Sequence, residues 1–155
     1  SVIPFFQKKS KEGILPITDE GMTRFNISLD GGVDMVFHAI EHALGGEIFV
    51  PKIPSYRILD LAKAVAPNCQ TKVIGIRPGE KLHEEMITAS DSYNTWDLGT
   101  YYVILPPKTA FELNEFVERF QAIKVPAGFE YNSGTNKDWE TIKSLQEKIS
   151  EHVHT

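Results

Sequence analysis

The stretch Ile76-Arg77-Pro78-Gly79-Glu80-Lys81-Leu82-His83-Glu84 (IRPGEKLHE) follows an apolar, strand-like segment from Thr71 to Ile76. Pro78 presets the backbone and Gly79 lets it reverse, so a turn at a strand end presents both Arg77 and Glu80. A guanidinium fork suits a phosphate, and a carboxylate suits a pair of ribose hydroxyls. Together they describe one end of a nucleotide. By itself the stretch also reads as a surface turn with an ordinary ion pair, since short motifs recur by chance. A solvated helix start is expected next at His83-Glu84-Glu85, its acidic first turn complementing the helix dipole.

Working outward, helical and strand-like segments alternate. A short helix is expected from Ser1 to Lys9, extended chain from Gly13 to Asp19, and a short strand from Met22 to Ser28. Between Asp30 and Leu44, apolar residues recur at helical spacing and Gly45-Gly46 supplies the stop. Glu47 to Pro51 reads as a strand. Ser55 then reads as the cap of a helix burying Ile58, Leu61, Ala62 and Val65. Ser90 to Gly99 reads as a polar loop and Thr100 to Leu105 as a strand. Helices are expected over Thr109–Lys124 and Trp139–Ile149, joined by a turn-rich link from Asn132 to Asp138. The helix, strand, helix, strand order from Asp30 to Ile76 points to an α/β lobe.

The segments SVIPFF, LPITD, MTRF, GGEIFVPKIPS, LAKAVAP and IGIRPGEKLHE stand in one order along the chain. In that order they resemble the C-terminal half of inverting UDP-N-acetylglucosamine 4,6-dehydratases. These enzymes of pseudaminic acid and polysaccharide biosynthesis belong to the extended short-chain dehydrogenase/reductase superfamily. The resemblance is dense from Ser1 to Ile87, weak from Thr88 to Gly128, and partial again in EYNSGTNKDW. It implies an α/β substrate-binding lobe over 1–128, with a C-terminal turn and helix at 129–155 packing on or beside it.

The family's other hallmarks are missing. Its Gly-rich phosphate loop has no match in Gly31-Gly32 or Gly45-Gly46, and no Tyr here has a Lys four residues later. The chain also opens on Ser1 in the middle of a family-like motif. The expectation is therefore a fragment, the substrate lobe without its Rossmann half, inactive alone and with no catalytic residue of its own. The resemblance implies that NADP is held by the missing half, takes a hydride from C4 of UDP-N-acetylglucosamine, and returns it at C6 after water leaves. The expected partners are that substrate, the chain's own N-terminal Rossmann half, and further copies in a full-length homo-oligomer.

By the same resemblance, Arg24 and Arg77 contact the diphosphate from opposite sides of a cleft, Glu80 accepts from ribose hydroxyls, and Thr18 meets the uracil end. Arg24 could instead pair structurally with Asp19 or Glu20. Asn26 departs from the family's usual Trp after MTRF. Two other readings share Arg24, Arg77 and Glu80: an epimerase or retaining dehydratase, and a non-enzymatic module that binds a nucleotide sugar.

Composition narrows the classes further. The chain has 155 residues, 41% hydrophobic and 24% charged, enough for a folded core. Its formal net charge of −5, with the basic residues dispersed, argues against nucleic acid as a partner. No apolar run reaches membrane-spanning length, and no signal pattern opens the chain. The single Cys69 fits a cytoplasmic protein.

One rival motif is present. His38-Ala39-Ile40-Glu41-His42 matches H-x-x-E-H, an inverted zinc-protease signature. With Val33 at the centre of the apolar stripe, Val36, Phe37, Ile40 and Leu44 fall within about 60° of it on a helical wheel. His38 and His42 fall about 140° and 180° away. The expectation is that both imidazoles face solvent and bind no metal.

Overall fold

The computed structural model describes residues 2–153, so Ser1 and the last two residues of the 129–155 span lie outside it. The chain runs α1 (Val2–Ser10), β1 (Ile14–Ile17), β2 (Thr23–Phe25), α2 (Leu29–His42), β3 (Ile48–Pro51), β4 (Ser55–Arg57) and α3 (Ile58–Val65). It continues with β5 (Gln70–Val73), β6 (Glu85–Ile87), a 3-10 turn (Asp91–Asn94), β7 (Thr95–Asp97) and β8 (Tyr101–Ile104). Last come α4 (Leu113–Phe120), β9 (Ile123–Lys124), β10 (Tyr131–Asn132) and α5 (Ile142–Val153). The fold class is mixed α/β with small sheets.

Two compact units interleave along this order. The first takes 1–26, 54–84 and 133–155, and the second takes 27–53 and 85–132. The C-terminal segment belongs with the first of them for a chemical reason. Thr23 hydrogen-bonds Ser133 and Asn26 hydrogen-bonds Glu140, which ties the C-terminal segment to the start of the chain. Tyr131 instead bonds the Ile53 backbone, within the second unit.

In the first unit β1 and β5 pair in parallel, Ile14 opposite Gln70 and Ile17 opposite Val73. β2 and β4 pair antiparallel, with Arg24 opposite Tyr56. Phe6, Leu15, Ile17, Met22, Leu61, Ala62 and Leu145 form the core. Burying a side chain of Leu or Ile size contributes about 1.5–3 kcal/mol. Ser55 is not the helix cap it was expected to be: it lies in β4, fully buried, and Arg57 precedes the helix without a side-chain capping bond. Its hydroxyl accepts from Asn136 Nδ2 at 3.0 Å, and its backbone bonds Asp138 and Glu140. Those partners lie about 80 residues downstream, out of reach of any local capping rule.

The second unit is built on an antiparallel sheet in the order β3-β8-β7-β9, over a core of Tyr101, Val103, Leu105, Phe116 and Ala122. Part of the expected polar loop Ser90–Gly99 is strand β7, because Thr95 is buried and pairs with Ile104. The helix expected over Thr109–Lys124 is only α4. Gln121 adopts a left-handed conformation at φ 50°, which ends the helix and turns the chain into β9.

Helix α2 overturns one expectation. Its stripe has the right periodicity, and Ser28 caps it by accepting from Gly31 N. The faces, however, are reversed. His38 packs edge-on against Tyr101, centroids 4.6 Å apart, and Phe49, 5.9 Å away. Met35 joins the same core, while Phe37 and Ile40 remain 61% and 72% exposed. Imidazole and thioether edges suit an aromatic wall, so the histidine side is the one that faces the sheet.

Candidate functional site

The turn after β5 forms as its residues dictate. Glu80 N donates to Arg77 O at 3.0 Å, with Pro78 and Gly79 between them and Gly79 at φ 82°. That is the pattern of a type II turn, which needs a residue tolerant of positive φ at its third position. The Glu80 carboxylate folds back to accept from Arg77 N at 3.3 Å.

Arg24 projects from β2. Its Nη1 donates to the carbonyls of Thr23 at 2.7 Å and Leu82 at 3.2 Å. Its Nη2 lies 3.7 Å from Glu80 Oε1, and its Nε lies 3.8 Å from Glu84 Oε1. The carboxylates beside it are therefore Glu80 and Glu84, not Asp19 or Glu20. Asp19 is engaged locally, accepting from Gly21 N at 2.7 Å. Arg77 is exposed, and among the described residues its guanidinium carries no hydrogen bond or ion pair. One arginine is thus held in place and the other is free to meet a ligand.

Thr18, Arg24, Arg77 and Glu80 all line one cavity of about 430 Å³ within the first unit. Glu84 joins them at the charged end, while Phe5, Met22, Ile58 and Tyr56 supply an apolar wall. Burial pushes the Tyr56 hydroxyl above its ordinary pKa of 10.0; Glu84 adds to that and Arg24 opposes it. A guanidinium pair, a carboxylate and an aromatic wall around one opening can hold a phosphorylated, ring-bearing ligand.

No helix begins at His83-Glu84-Glu85. Glu84 N donates to Ser133 Oγ at 2.8 Å, Ser133 Oγ bonds Thr23 Oγ1 at 2.7 Å, and Thr23 Oγ1 bonds His83 Nδ1 at 2.8 Å. Glu84 Oε2 also accepts from Phe25 N at 2.8 Å. Partners from two distant segments hold this stretch extended. Glu84 is thus a cavity-lining residue and not part of a helix start, and Tyr56 lines the same cavity without a motif of its own. The available signal for Tyr56 was its place in a short strand facing MTRF, where a directly opposed residue shares a face with Arg24.

The His83 ring lies close over Gly134, so a Cβ there would sit 2.7 Å from the ring. Gly134→Ala must push His83 off Thr23, at an expected cost of about 1–3 kcal/mol. A thermal melt reads this directly, and an unchanged midpoint would show that the ring moves freely.

In the second unit, His38 and His42 stack with centroids 4.2 Å apart, and His42 Nδ1 bonds His38 O at 2.9 Å. Among the described residues no group of three or more His, Cys, Asp or Glu side chains could hold a metal ion. Gly31 and Gly32 lie inside α2, and Gly31 N is taken by Ser28 Oγ at 3.0 Å. They form no strand-to-helix phosphate loop, so these residues do not fit the pyrophosphate of NADP. Among the described residues no helix is long and apolar enough to cross a membrane.

Residues 1–106 match the family described as "Polysaccharide biosynthesis protein". The chain belongs to that family. It is 49% identical to the inverting UDP-N-acetylglucosamine 4,6-dehydratase of a Campylobacter jejuni serotype O:2 strain, an alignment covering 97% of this chain and 47% of that protein. It is 37% identical to a UDP-glucose 4-epimerase of Rickettsia akari, over 94% of this chain and 44% of that protein. A solved structure, that of Pen from Bacillus thuringiensis, superposes with a TM-score of 0.79 at 28% identity, covering all of this chain and 47% of that one. The chain spans about half the length of the curated relatives it matches.

Proposed function

We propose that this chain is the UDP-sugar-binding part of a UDP-N-acetylglucosamine 4,6-dehydratase that inverts C5, a cytoplasmic lyase of pseudaminic acid biosynthesis. Its NADP and its catalytic groups belong to the portion its relatives carry beyond this span. The observation that carries the reading is the single cavity lined by Thr18, Arg24, Arg77 and Glu80. In it the guanidinium groups hold the diphosphate, Glu80 accepts from the ribose hydroxyls, and Thr18 meets the uracil end. Nucleotide binding then positions the reacting sugar carbons for chemistry supplied elsewhere. Likeness to an epimerase as well as to a dehydratase supports the nucleotide part of this reading more broadly than the choice of reaction.

Calorimetry of the chain with UDP tests it: saturable binding is expected, and a folded chain giving no heat with UDP or UDP-N-acetylglucosamine would sink the reading. Incubated with UDP-N-acetylglucosamine and NADP, the chain alone is expected to yield no 4-keto-6-deoxy product by mass spectrometry. Formation of that product would overturn the assignment of catalysis to the remaining portion.

A further inference from the structure

We propose that His83 is a positioning residue for Arg24: anchored to Thr23, it sets the Leu82 carbonyl and the Glu84 carboxylate that hold that guanidinium in the cavity. This rests on the nucleotide-binding reading and adds a residue that acts there without lining the cavity. Residues 82–84 run beside β2 and grip it at three consecutive positions. Leu82 O accepts from Arg24 Nη1 at 3.2 Å and from Thr23 N at 3.1 Å. Glu84 Oε1 lies 3.8 Å from Arg24 Nε, and Glu84 Oε2 accepts from Phe25 N at 2.8 Å. Between these two, the His83 ring lies against Gly134 with its Nδ1 on the Thr23 hydroxyl. Arg24 therefore meets both sequence neighbours of His83, and the ring is what pins the peptide that joins them.

The hydroxyls behind the ring assign its proton. Glu84 N donates to Ser133 Oγ at 2.8 Å. Ser133 is then left to donate to Thr23 Oγ1 at 2.7 Å, and Thr23 to donate to His83 Nδ1 at 2.8 Å. Every hydroxyl proton has an acceptor in this arrangement, with the ring proton on Nε2. With the proton on Nδ1 instead, one hydroxyl proton of Thr23 or Ser133 would lack an acceptor among the described residues. Ser133 and Thr23 are 0% and 4% exposed, closed to the water that could otherwise replace it. Ring, Thr23 and Ser133 thus lock as a unit, and Ser133 N donates to Glu84 O at 2.8 Å to close it. A guanidinium held in place before its ligand arrives loses less freedom on binding it.

Calorimetry with UDP and NMR of the arginine side chains test this on the same samples. His83→Ala should weaken UDP binding on the order of tenfold, the scale of coupling inside one hydrogen-bond network. His83→Asn should recover most of that loss, because Oδ1 stands where Nδ1 stood and accepts from Thr23. In an Arg24→Ala background His83→Ala should cost nothing further, since it acts through that guanidinium. The Nε–Hε signal of Arg24, identified by its loss in Arg24→Lys, should move in His83→Ala and return in His83→Asn. A parent chain that ignores UDP while this signal behaves as expected would sink the nucleotide reading and leave the positioning of Arg24 standing. An Arg24 signal unmoved by His83→Ala, or a loss of affinity that adds in full to that of Arg24→Ala, would do the reverse. A ring that is structural and no more would lower the melting midpoint of His83→Ala with affinity and signal both unchanged, which also overturns the proposal. Should His83→Ala not fold, Thr23→Val takes its place, removing the hydroxyl while keeping the shape of the side chain. The same two changes are then expected, and their absence is equally decisive against it.

Discussion

Arg77→Ala is expected to weaken UDP binding by about 1.5–3 kcal/mol, roughly 10- to 150-fold, without lowering the melting midpoint. The side chain is exposed and free of intramolecular partners, so its removal strands nothing in the fold. Arg77→Lys should restore only part of the loss, because an ammonium keeps the charge without the planar fork. Arg24→Ala should weaken binding by a similar amount and also destabilise the protein. Its loss leaves Glu80 and Glu84 without their shared cation and takes a donor from the carbonyls of Thr23 and Leu82. The two effects on binding should not add, since both groups share one diphosphate. Glu80→Ala should cost less with a UDP analogue lacking ribose hydroxyls than with UDP. Calorimetry and thermal melts on the same samples separate these cases. Should Arg77→Ala bind UDP as tightly as the parent, the IRPGE turn is a surface turn and no more.

The second large effect concerns Glu140, which is only 7% exposed. Its carboxylate accepts from Asn26 Nδ2 at 2.8 Å and from Ser144 Oγ, and it pairs with Lys148. Glu140→Gln is expected to cost about 2–3 kcal/mol, the scale of hydrogen bonds to a charged group. Burial alone would raise this carboxyl's pKa, but Lys148, Ser144 and Asn26 together more than offset it and hold the group below its ordinary 4.5. A carboxylate depressed in the folded state stabilises fully above the unfolded pKa and loses that stabilisation as pH falls through the folded one. The gap between parent and Glu140→Gln in urea melts should therefore be constant above about pH 5 and shrink below 4.5. A gap that persists at low pH would mean that the charge contributes nothing.

A second acid-linked loss should begin earlier. Burial, then the neighbouring His42, lower the pKa of His38 below 6.5, against the pull of Glu41. Its neutral form favours the folded state, so the contribution is complete above 6.5 and fades as pH falls through the lower folded value.

The parts of the fold legible from sequence were those with local causes. Pro78-Gly79 dictates a turn whatever surrounds it, and the apolar periodicity of α3 correctly marks Ile58, Leu61 and Ala62 as buried. Periodicity in α2 identified which residues share a face but could not say what covers that face. In this chain the histidine side finds aromatic partners, and the apolar side stays exposed among the described residues. The same limit explains His83-Glu84-Glu85. An acidic triplet after a turn has helix-start chemistry, but Ser133 and Thr23 claim its hydrogen bonds from afar. Ser55 shows it again, since a good capping residue was taken by partners some 80 positions later. Of the cavity, the charged residues were visible through their motif. Tyr56 was not, because its place there depends on strand pairing.

The unit that holds the cavity is closed by segments far downstream of its start. Thr23 waits for Ser133, 110 positions on, and Leu61 waits for Leu145 on α5. All residues of the second unit, by contrast, have been synthesised by Asn132. On a translating ribosome the later-numbered unit can therefore fold first, while α1, β1 and α3 stand with apolar surface bare. Long-separation contacts of this kind close slowly, and the open stage is when aggregation competes with folding. A free chain truncated after Asn132 should thus carry one protease-resistant unit and one sensitive one.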